Sequence, residues 1–373
     1  MTPKENLLAA FAHRDVQWAP WLPLLSGVNT PSFVPEDIKH SGDAIAVGRY
    51  LQDELGCDIL VQAPATVSHQ EGVETSQVTE GDSTVYETRI GGRTLRKVAT
   101  QFPYGDQVTN HIAKYPVETP DDVETLRRLV TARHWEADTT VFEAQTAQMG
   151  DSGVVAATGP GTPLMDLVVH EMSLEKVVLA LMDMPQIMDN LLEAMHANNI
   201  ERYRALAQTS CEVIRCTTDE SALLISPAMF EKYCMPCLRD YAAICHDAGK
   251  RLMVHSCGHI RDFLDMYKQA GIDALHYVTA PPIGNTPVEV AREAWGEEIT
   301  TMAALDPIRL ETAPADEIER EAREKLRQAG STRSFILMSS SKPAVPEANL
   351  RAVAAVMTEQ PSHPKNTPSL RAQ

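Results

Sequence analysis

A histidine and a cysteine one residue apart, His255-Ser-Cys257, close an apolar run and are followed at once by Gly258. Alternate residues of an extended chain point the same way, so the pair can offer imidazole and thiolate to one metal ion. Sulfur with nitrogen suits zinc, and the glycine lets the backbone turn sharply. The plainer alternative is a buried cysteine beside a histidine bonded to a backbone carbonyl. Asp219-Glu220 follows an earlier apolar run, 213–216, by two threonines. Either carboxylate could reach a metal held by the next strand, although Asp219 could instead cap a helix ahead of Ser226-Pro227. Cys234-Met-Pro-Cys237 has the spacing of a zinc or redox dithiol, but it falls inside a helical pattern and reads as structural. Met165, Met172, Met182 and Met184 read as helix core. Gly159-Pro-Gly161 lacks the spacing of a phosphate-binding loop and reads as rim architecture.

What must position these residues is a repeating unit. From about residue 150, apolar runs at 154–157, 213–216, 252–255, 274–278, 299–303 and 335–338 alternate with helical patterns. The helices cover 174–208, 227–248, 259–270, 286–295, 315–329 and 346–358. Such alternation implies a parallel sheet with helices outside it. Two early runs, 18–25 and 57–62, bring the units to about eight, which predicts a (β/α)8 TIM-type barrel. Polar alternation over 69–103, with a turn at Ile90-Gly-Gly-Arg93, predicts an antiparallel excursion. The expected layout is one domain over 1–359 and a disordered Pro-rich tail over 360–373.

In such a barrel, reactive groups lie past the C-terminal ends of the strands. That expectation gathers Asp58, Thr158-Gly-Pro-Gly-Thr162, Asp219, Glu220, His255, Cys257, His276, Asp306 and Ser339-Ser-Ser341 on one rim. A formal charge of −18 leaves no basic stripe for nucleic acid. No apolar run is long enough to span a membrane. Seven scattered cysteines and a polar N-terminus fit a cytoplasmic protein without a disulfide framework.

The stretch 216–273 carries Thr217-Thr-Asp-Glu220, Leu224-Ile-Ser-Pro227, Tyr233-Cys-Met-Pro236, His246-Asp-Ala-Gly249, Val254-His-Ser-Cys-Gly258 and Ala270-Gly-Ile-Asp273. Together these resemble the uroporphyrinogen decarboxylase superfamily. Thr158-Gly-Pro-Gly-Thr-Pro163, Ala304-Leu-Asp-Pro307 and Val345-Pro-Glu-Ala-Asn349 extend the resemblance over most of the chain. It implies a distorted (β/α)8 barrel. The superfamily's decarboxylases hold a tetrapyrrole through N-terminal arginines, whereas the matching segment here, Leu24-Leu-Ser-Gly-Val28, has none. The other branch, the zinc-dependent corrinoid methyltransferases, is similar in its His-x-Cys-Gly segment.

In thiol-methylating members of that branch a further cysteine after the last strand completes the zinc site. Ser339 stands at that place, and no cysteine follows Cys257. The resemblance implies zinc held in part by His255 and Cys257. A serine is a poor zinc ligand, so Glu220 is the expected third ligand with Ser339 as the alternative. Asp306 and His276 are candidate orienting or proton-carrying groups unless they serve ordinary rim hydrogen bonding. A His/Cys/Glu site suits an oxygen- or halogen-bearing methyl donor at least as well as a thiol. The expected function is methyl transfer between a small methylated substrate or acceptor and a corrinoid (cobalamin). The chain has no Asp-x-His-x-x-Gly motif, so the corrinoid is expected on a separate partner protein. A homodimer is the usual superfamily arrangement. The competing readings are a metal-independent decarboxylase using Asp58 and Asp306 as acid and base, and a module that binds a corrinoid or tetrapyrrole without turnover.

Overall fold

Short strands rich in Val, Ile, Leu and Ala, buried on both faces, pair best as a parallel sheet covered by helices. The computed structural model describes residues 1–25, 29–104, 107–360 and 362–366, and has that arrangement. Its barrel strands are β1 (Trp21–Pro23), β2 (Ile59–Ala63), β3 (Gly153–Gly159), β4 (Val213–Thr217), β5 (Arg251–His255), β6 (Ala274–Val278), β7 (Thr300–Ala304) and β8 (Phe335–Ser339). Each pairs in parallel with the next from β2 to β8, and β1 pairs with β8. At the remaining seam the Asp58 amide donates to the Trp21 carbonyl at 2.8 Å. The Trp21 amide returns a bond to the Asp58 carboxylate at 3.0 Å. The sheet is thus a nearly closed (β/α)8 barrel, as expected.

Val154, Ala156, Val213, Met253, Ala274, Met302, Ile336 and Met338 pack together inside the barrel. Helix Pro3–Phe11 adds Leu7, Ala10 and Phe11 to this cluster and plugs the end where the strands begin. A reciprocal capping box between Thr2 and Glu5, with Pro3 in the first turn, fixes that helix's start. Alternate residues such as Ile214, Cys216, Leu252 and Val254 face outward into the helical layer.

The antiparallel excursion is longer than the expected 69–103. Thr66–Gln70 pairs with Arg133–Ala137, and Val73–Glu80, Ser83–Ile90, Arg93–Tyr104 and Gln107–Lys114 form a four-stranded sheet. The turn at Gly91-Gly92 has φ of 54° and 77°, the left-handed pair that a two-residue hairpin favours. The helix expected over 174–208 is two, Leu174–Asp183 and Pro185–Ala207. Pro185 cannot continue the hydrogen-bond ladder, and the preceding Met184 leaves the helical region. Pro227–Met229 and Met235–Asp247 are joined by a π-turn, Phe230–Cys234, just before Pro236.

Part of the expected tail is packed rather than loose. Gln360 Oε1 accepts from the Ala19 amide at 2.6 Å, and His363 lies buried with Nε2 3.0 Å from the Gly56 carbonyl. Lys365 Nζ donates to the Glu54 carbonyl. Residues 361 and 367–373 of that tail lie outside the described residues. None of the described helices is long and apolar enough to cross a membrane.

Asp58 precedes β2 and therefore sits at the N-terminal end of the barrel, opposite the rim where it was expected. Trp18 Nε1 and the Trp21 amide donate to its buried carboxyl, but burial outweighs them and pushes its pKa up to about 7. Between the ordinary value of 3.8 and about 7, folded Asp58 keeps a proton that the unfolded chain releases. Stability contributed by this group therefore falls as pH rises through that window, by on the order of 4 kcal/mol in all. Asp58→Asn should remove the slope. Thermal unfolding from about pH 4 to about pH 8 should show the difference in Tm moving steadily in the variant's favour.

Candidate metal centre

β5 ends at His255, and Cys257 follows after the buried Ser256. The β4 loop carries Asp219 beside them. Asp219 Oδ1 lies 3.6 Å from His255 Nε2 and 3.7 Å from Cys257 Sγ. All three donor atoms lie within 4.8 Å of one another. Tetrahedral zinc with ordinary bond lengths would separate such donors by roughly 3.3–3.6 Å. The residues therefore fit zinc in chemistry and in spacing. Asp219 and Cys257 are partly open to solvent while His255 is largely covered, which leaves room for a further ligand.

The two loops are tied together. The Thr218 amide donates to the His255 carbonyl at 3.2 Å, and the Ala222 amide to the His259 carbonyl at 2.7 Å. Ser256 Oγ donates to the Glu220 carbonyl at 2.6 Å, and the His259 amide to Ser221 Oγ at 3.2 Å. Gly258 has φ +81°, a conformation that favours glycine and turns the chain back toward the β4 loop. Gly161 lies so close to the Thr217 carbonyl that a Cβ would approach it to 2.4 Å. The Gly-Pro-Gly turn is thus rim architecture, as expected.

Glu220, expected as the third ligand, has another place. Its carboxylate is fully buried in the layer behind the rim, accepting from Thr162 Oγ at 2.8 Å and Thr218 Oγ at 2.7 Å. Tyr267 approaches its other oxygen at 3.5 Å. The carboxylate that joins His255 and Cys257 is Asp219. Strand alternation accounts for the exchange. Val213 faces the barrel interior while Ile214 and Cys216 face the helices. Continued into the loop, the interior parity falls on 219 and the outward parity on 220. Ser339, the other position considered, is buried and accepts from Trp21 Nε1 at 2.9 Å.

His276 does meet the site. Its Nδ1 lies 2.6 Å from Nδ1 of His255, with the two residues in register across β5 and β6. Burial is the main force lowering both imidazoles, His255 to about 3, so both are neutral at neutral pH. If His255 gives Nε2 to a metal, its Nδ1 must carry the proton and donate to His276. Asp306 is elsewhere in function: its carboxylate caps helix Pro307–Thr312, accepting from the Ile308 amide at 2.8 Å and the Arg309 amide at 3.2 Å. With Asp306 capping a helix and Asp58 at the opposite end, the acid–base pair of the decarboxylase reading is not assembled. Cys234 and Cys237 are buried in the helical layer, away from the three donors, in keeping with a structural role. Of the methionines read as core, Met165 and Met172 are buried, but Met182 is 74% exposed.

Arg215 was not anticipated from the sequence. It shares the inward parity of Val213 on β4 and pairs in register with Met253. A charged residue at an inward position of an otherwise apolar strand was the available signal. His170, close enough to Asp219 to feel its charge, lines a cavity of about 650 Å3 beneath the antiparallel sheet with Tyr86, Lys97, Asn110 and His111.

The uroporphyrinogen decarboxylase (URO-D) family model matches residues 95–360, well over half of the chain. The chain belongs to the uroporphyrinogen decarboxylase family. Among solved structures, a methyltransferase from Methanosarcina mazei superposes with a TM-score of 0.61 at 16% identity, covering 96% of this chain and 99% of the other. A B12-independent methionine synthase from Shewanella sp. W3-18-1 gives a TM-score of 0.46 at 14% identity, covering 92% and 96%. At these identities the likeness is one of fold. No curated protein sequence matches the chain significantly.

The Cys257 thiol is pushed up to about 11, first by burial and then by the Asp219 charge. Zinc binding must therefore displace its proton near neutral pH, and affinity should increase with pH. Titration of metal-free protein with zinc in two buffers of different ionisation heat should show about one proton released per ion. Asp219→Ala, His255→Ala and Cys257→Ala should each abolish stoichiometric zinc after dialysis. Glu220→Gln should retain it, and His276→Gln should weaken it by about 10–100-fold. Retention of zinc by Asp219→Ala together with loss in Glu220→Gln would reverse the ligand assignment.

Proposed function

We propose that this chain is a zinc-dependent methyltransferase that moves a methyl group between a small methylated substrate or acceptor and a corrinoid held by a separate protein. The observation that carries this reading is the convergence of His255 Nε2, Cys257 Sγ and the Asp219 carboxylate within 4.8 Å at the rim of the barrel. Three protein donors with an accessible side are the arrangement of a catalytic rather than a structural zinc. The fold shared along its full length with a Methanosarcina mazei methyltransferase is consistent with it. Bound there, zinc would supply a Lewis acid for the heteroatom that carries or accepts the methyl group.

The protein's part is position and electrostatics. His276 fixes the His255 ring through the Nδ1–Nδ1 contact, and the ties between the β4 and β5 loops hold Asp219 and Cys257 on one side of it. Glu220 braces those loops from behind through Thr162 and Thr218. Asp219 in place of a second thiolate makes the donor set harder, which suits oxygen-bearing methyl donors at least as well as sulfur-bearing ones.

Zinc-loaded protein incubated with cob(I)alamin and a panel of methoxy, halomethyl, methylamine and methylthio donors should methylate the cobalt from one class of donor. Absorbance reports the change. His255→Ala and Cys257→Ala should each lower the rate by at least about 100-fold, since the metal is lost with its ligand. Full activity in the absence of zinc would overturn the proposal.

A further inference from the structure

Arg215 lies near the candidate centre with a buried donor whose hydrogen-bonding capacity is left unused among the described residues. It lies on β4 one inward position above Val213, so its side chain enters the barrel below the rim. Its Nε is buried, and among the described residues it has no hydrogen-bond partner. No described carboxylate lies within ion-pair distance of the guanidinium. The ionisable groups around it are Tyr277, Asp219 and Cys216, and its positive charge also bears on His255 and His276. Asp219 attracts it only from beyond hydrogen-bond reach.

A half-buried guanidinium without a partner is costly. Next to a site for a divalent cation it is more so, because the two positive charges repel. Zinc with one thiolate, one carboxylate and a neutral imidazole would have no net charge, so among the described residues the charge of Arg215 beside it would have no counter-ion. A planar fork of N–H donors matches a carboxylate through two parallel bonds. One monocarboxylate ligand would satisfy the orphaned donors and bring the site to neutrality.

We propose that Arg215 is a specificity-determining residue that receives the carboxylate of a small methylated acid whose heteroatom faces the His255–Cys257–Asp219 centre. The inference deepens the methyltransferase reading by naming the substrate class, and it rests on that reading for the role of the centre. It does not require the metal for its own test.

The test is calorimetric. Zinc-loaded and metal-free forms of the full chain are titrated with methoxyacetate, 3-methoxypropionate and 4-methoxybenzoate. Each is paired with its uncharged alcohol: 2-methoxyethanol, 3-methoxypropan-1-ol or 4-methoxybenzyl alcohol. At least one acid should bind about 10–100-fold more tightly than its alcohol, the range expected of charge-assisted hydrogen bonds. Arg215→Gln should abolish that preference while leaving zinc content and the alcohol's affinity unchanged, and Arg215→Lys should restore part of it. Equal binding of acid and alcohol, an acid preference that survives in Arg215→Gln, or no binding of any acid up to tens of millimolar would each overturn the inference. If the wild-type chain takes up no zinc, the methyltransferase reading fails by itself. The acid preference of the metal-free protein still decides the role of Arg215.

Discussion

In a parallel barrel every second side chain faces the axis, and this alternation decides which of two adjacent carboxylates can reach a metal at the rim. Asp219 and Glu220 are neighbours in sequence with opposite surroundings. Asp219 continues the inward set that runs through Val213 and Arg215, and its Oδ1 meets His255 and Cys257. Glu220 continues the outward set and enters the layer between barrel and helices, where Thr162, Thr218 and Tyr267 surround it. The outward acid is what makes the inward one useful. It joins the β3 loop to the β4 loop, and its carbonyl takes the Ser256 hydroxyl from the β5 loop. Three loops thereby share one buried anchor, and the donor atoms they carry keep a fixed separation.

Burial drives every ionisable group at the centre toward its neutral form. The imidazoles of His255 and His276 are pushed down, the Cys257 thiol is pushed up, and the Asp219 carboxyl is raised despite the pull of Arg215. A neutral imidazole is already a ligand, whereas the Cys257 thiol becomes one only when a cation repays the desolvation of its charged form. A divalent ion at this site would supply that compensation. The same low dielectric strengthens the coupling between His255 and His276, since a proton on one Nδ1 has the other Nδ1 as its acceptor at 2.6 Å.

Much of the scaffold was legible because burial on both faces writes itself as continuous apolar runs. All eight such runs are barrel strands, and the His-x-Cys pair stands at the end of the fifth. The features that escaped depend on information outside a local window. Asp58 was assigned to the wrong end because it lies at the edge of its run, and only the Trp21–Asp58 seam shows that it precedes the strand. The Pro-rich composition of the tail gave no hint of His363, which is buried against the chain at Gly56. Exposed strands such as Gln107–Lys114 carry a weak apolar signal, so the antiparallel sheet was cut short. At the site, the missing cysteine calls for a third ligand, and the possible helix-capping role of Asp219 ahead of Ser226-Pro227 turns the choice to Glu220. Extending the parity of β4 by two residues would have favoured Asp219, and would have marked Arg215 as a charge inside the barrel.

The placement of cations bounds what this barrel can accept. A tetrapyrrole carries many carboxylates and needs several cationic partners to replace their hydration. Among the described residues of the first two units three of the four Lys and Arg side chains are committed elsewhere, and the fourth, Arg14, is exposed just past the helix that plugs the opposite end of the barrel. Lys4 pairs with Glu212, Lys39 with Glu36, and Arg49 donates to the Gln148 carbonyl. Arg202, half-buried near the β3 loop, stacks on Trp135 and donates to Thr66 and the Thr158 carbonyl. Arg215 remains, inside the barrel, its Nε without a partner among the described residues. If a divalent metal and its three proposed ligands sum to no charge, this guanidinium would neutralise one carboxylate. The same count that argues against a porphyrinogen argues for a small monoacid. Both conclusions follow from desolvation, because a second buried carboxylate would have no partner to offset its lost water.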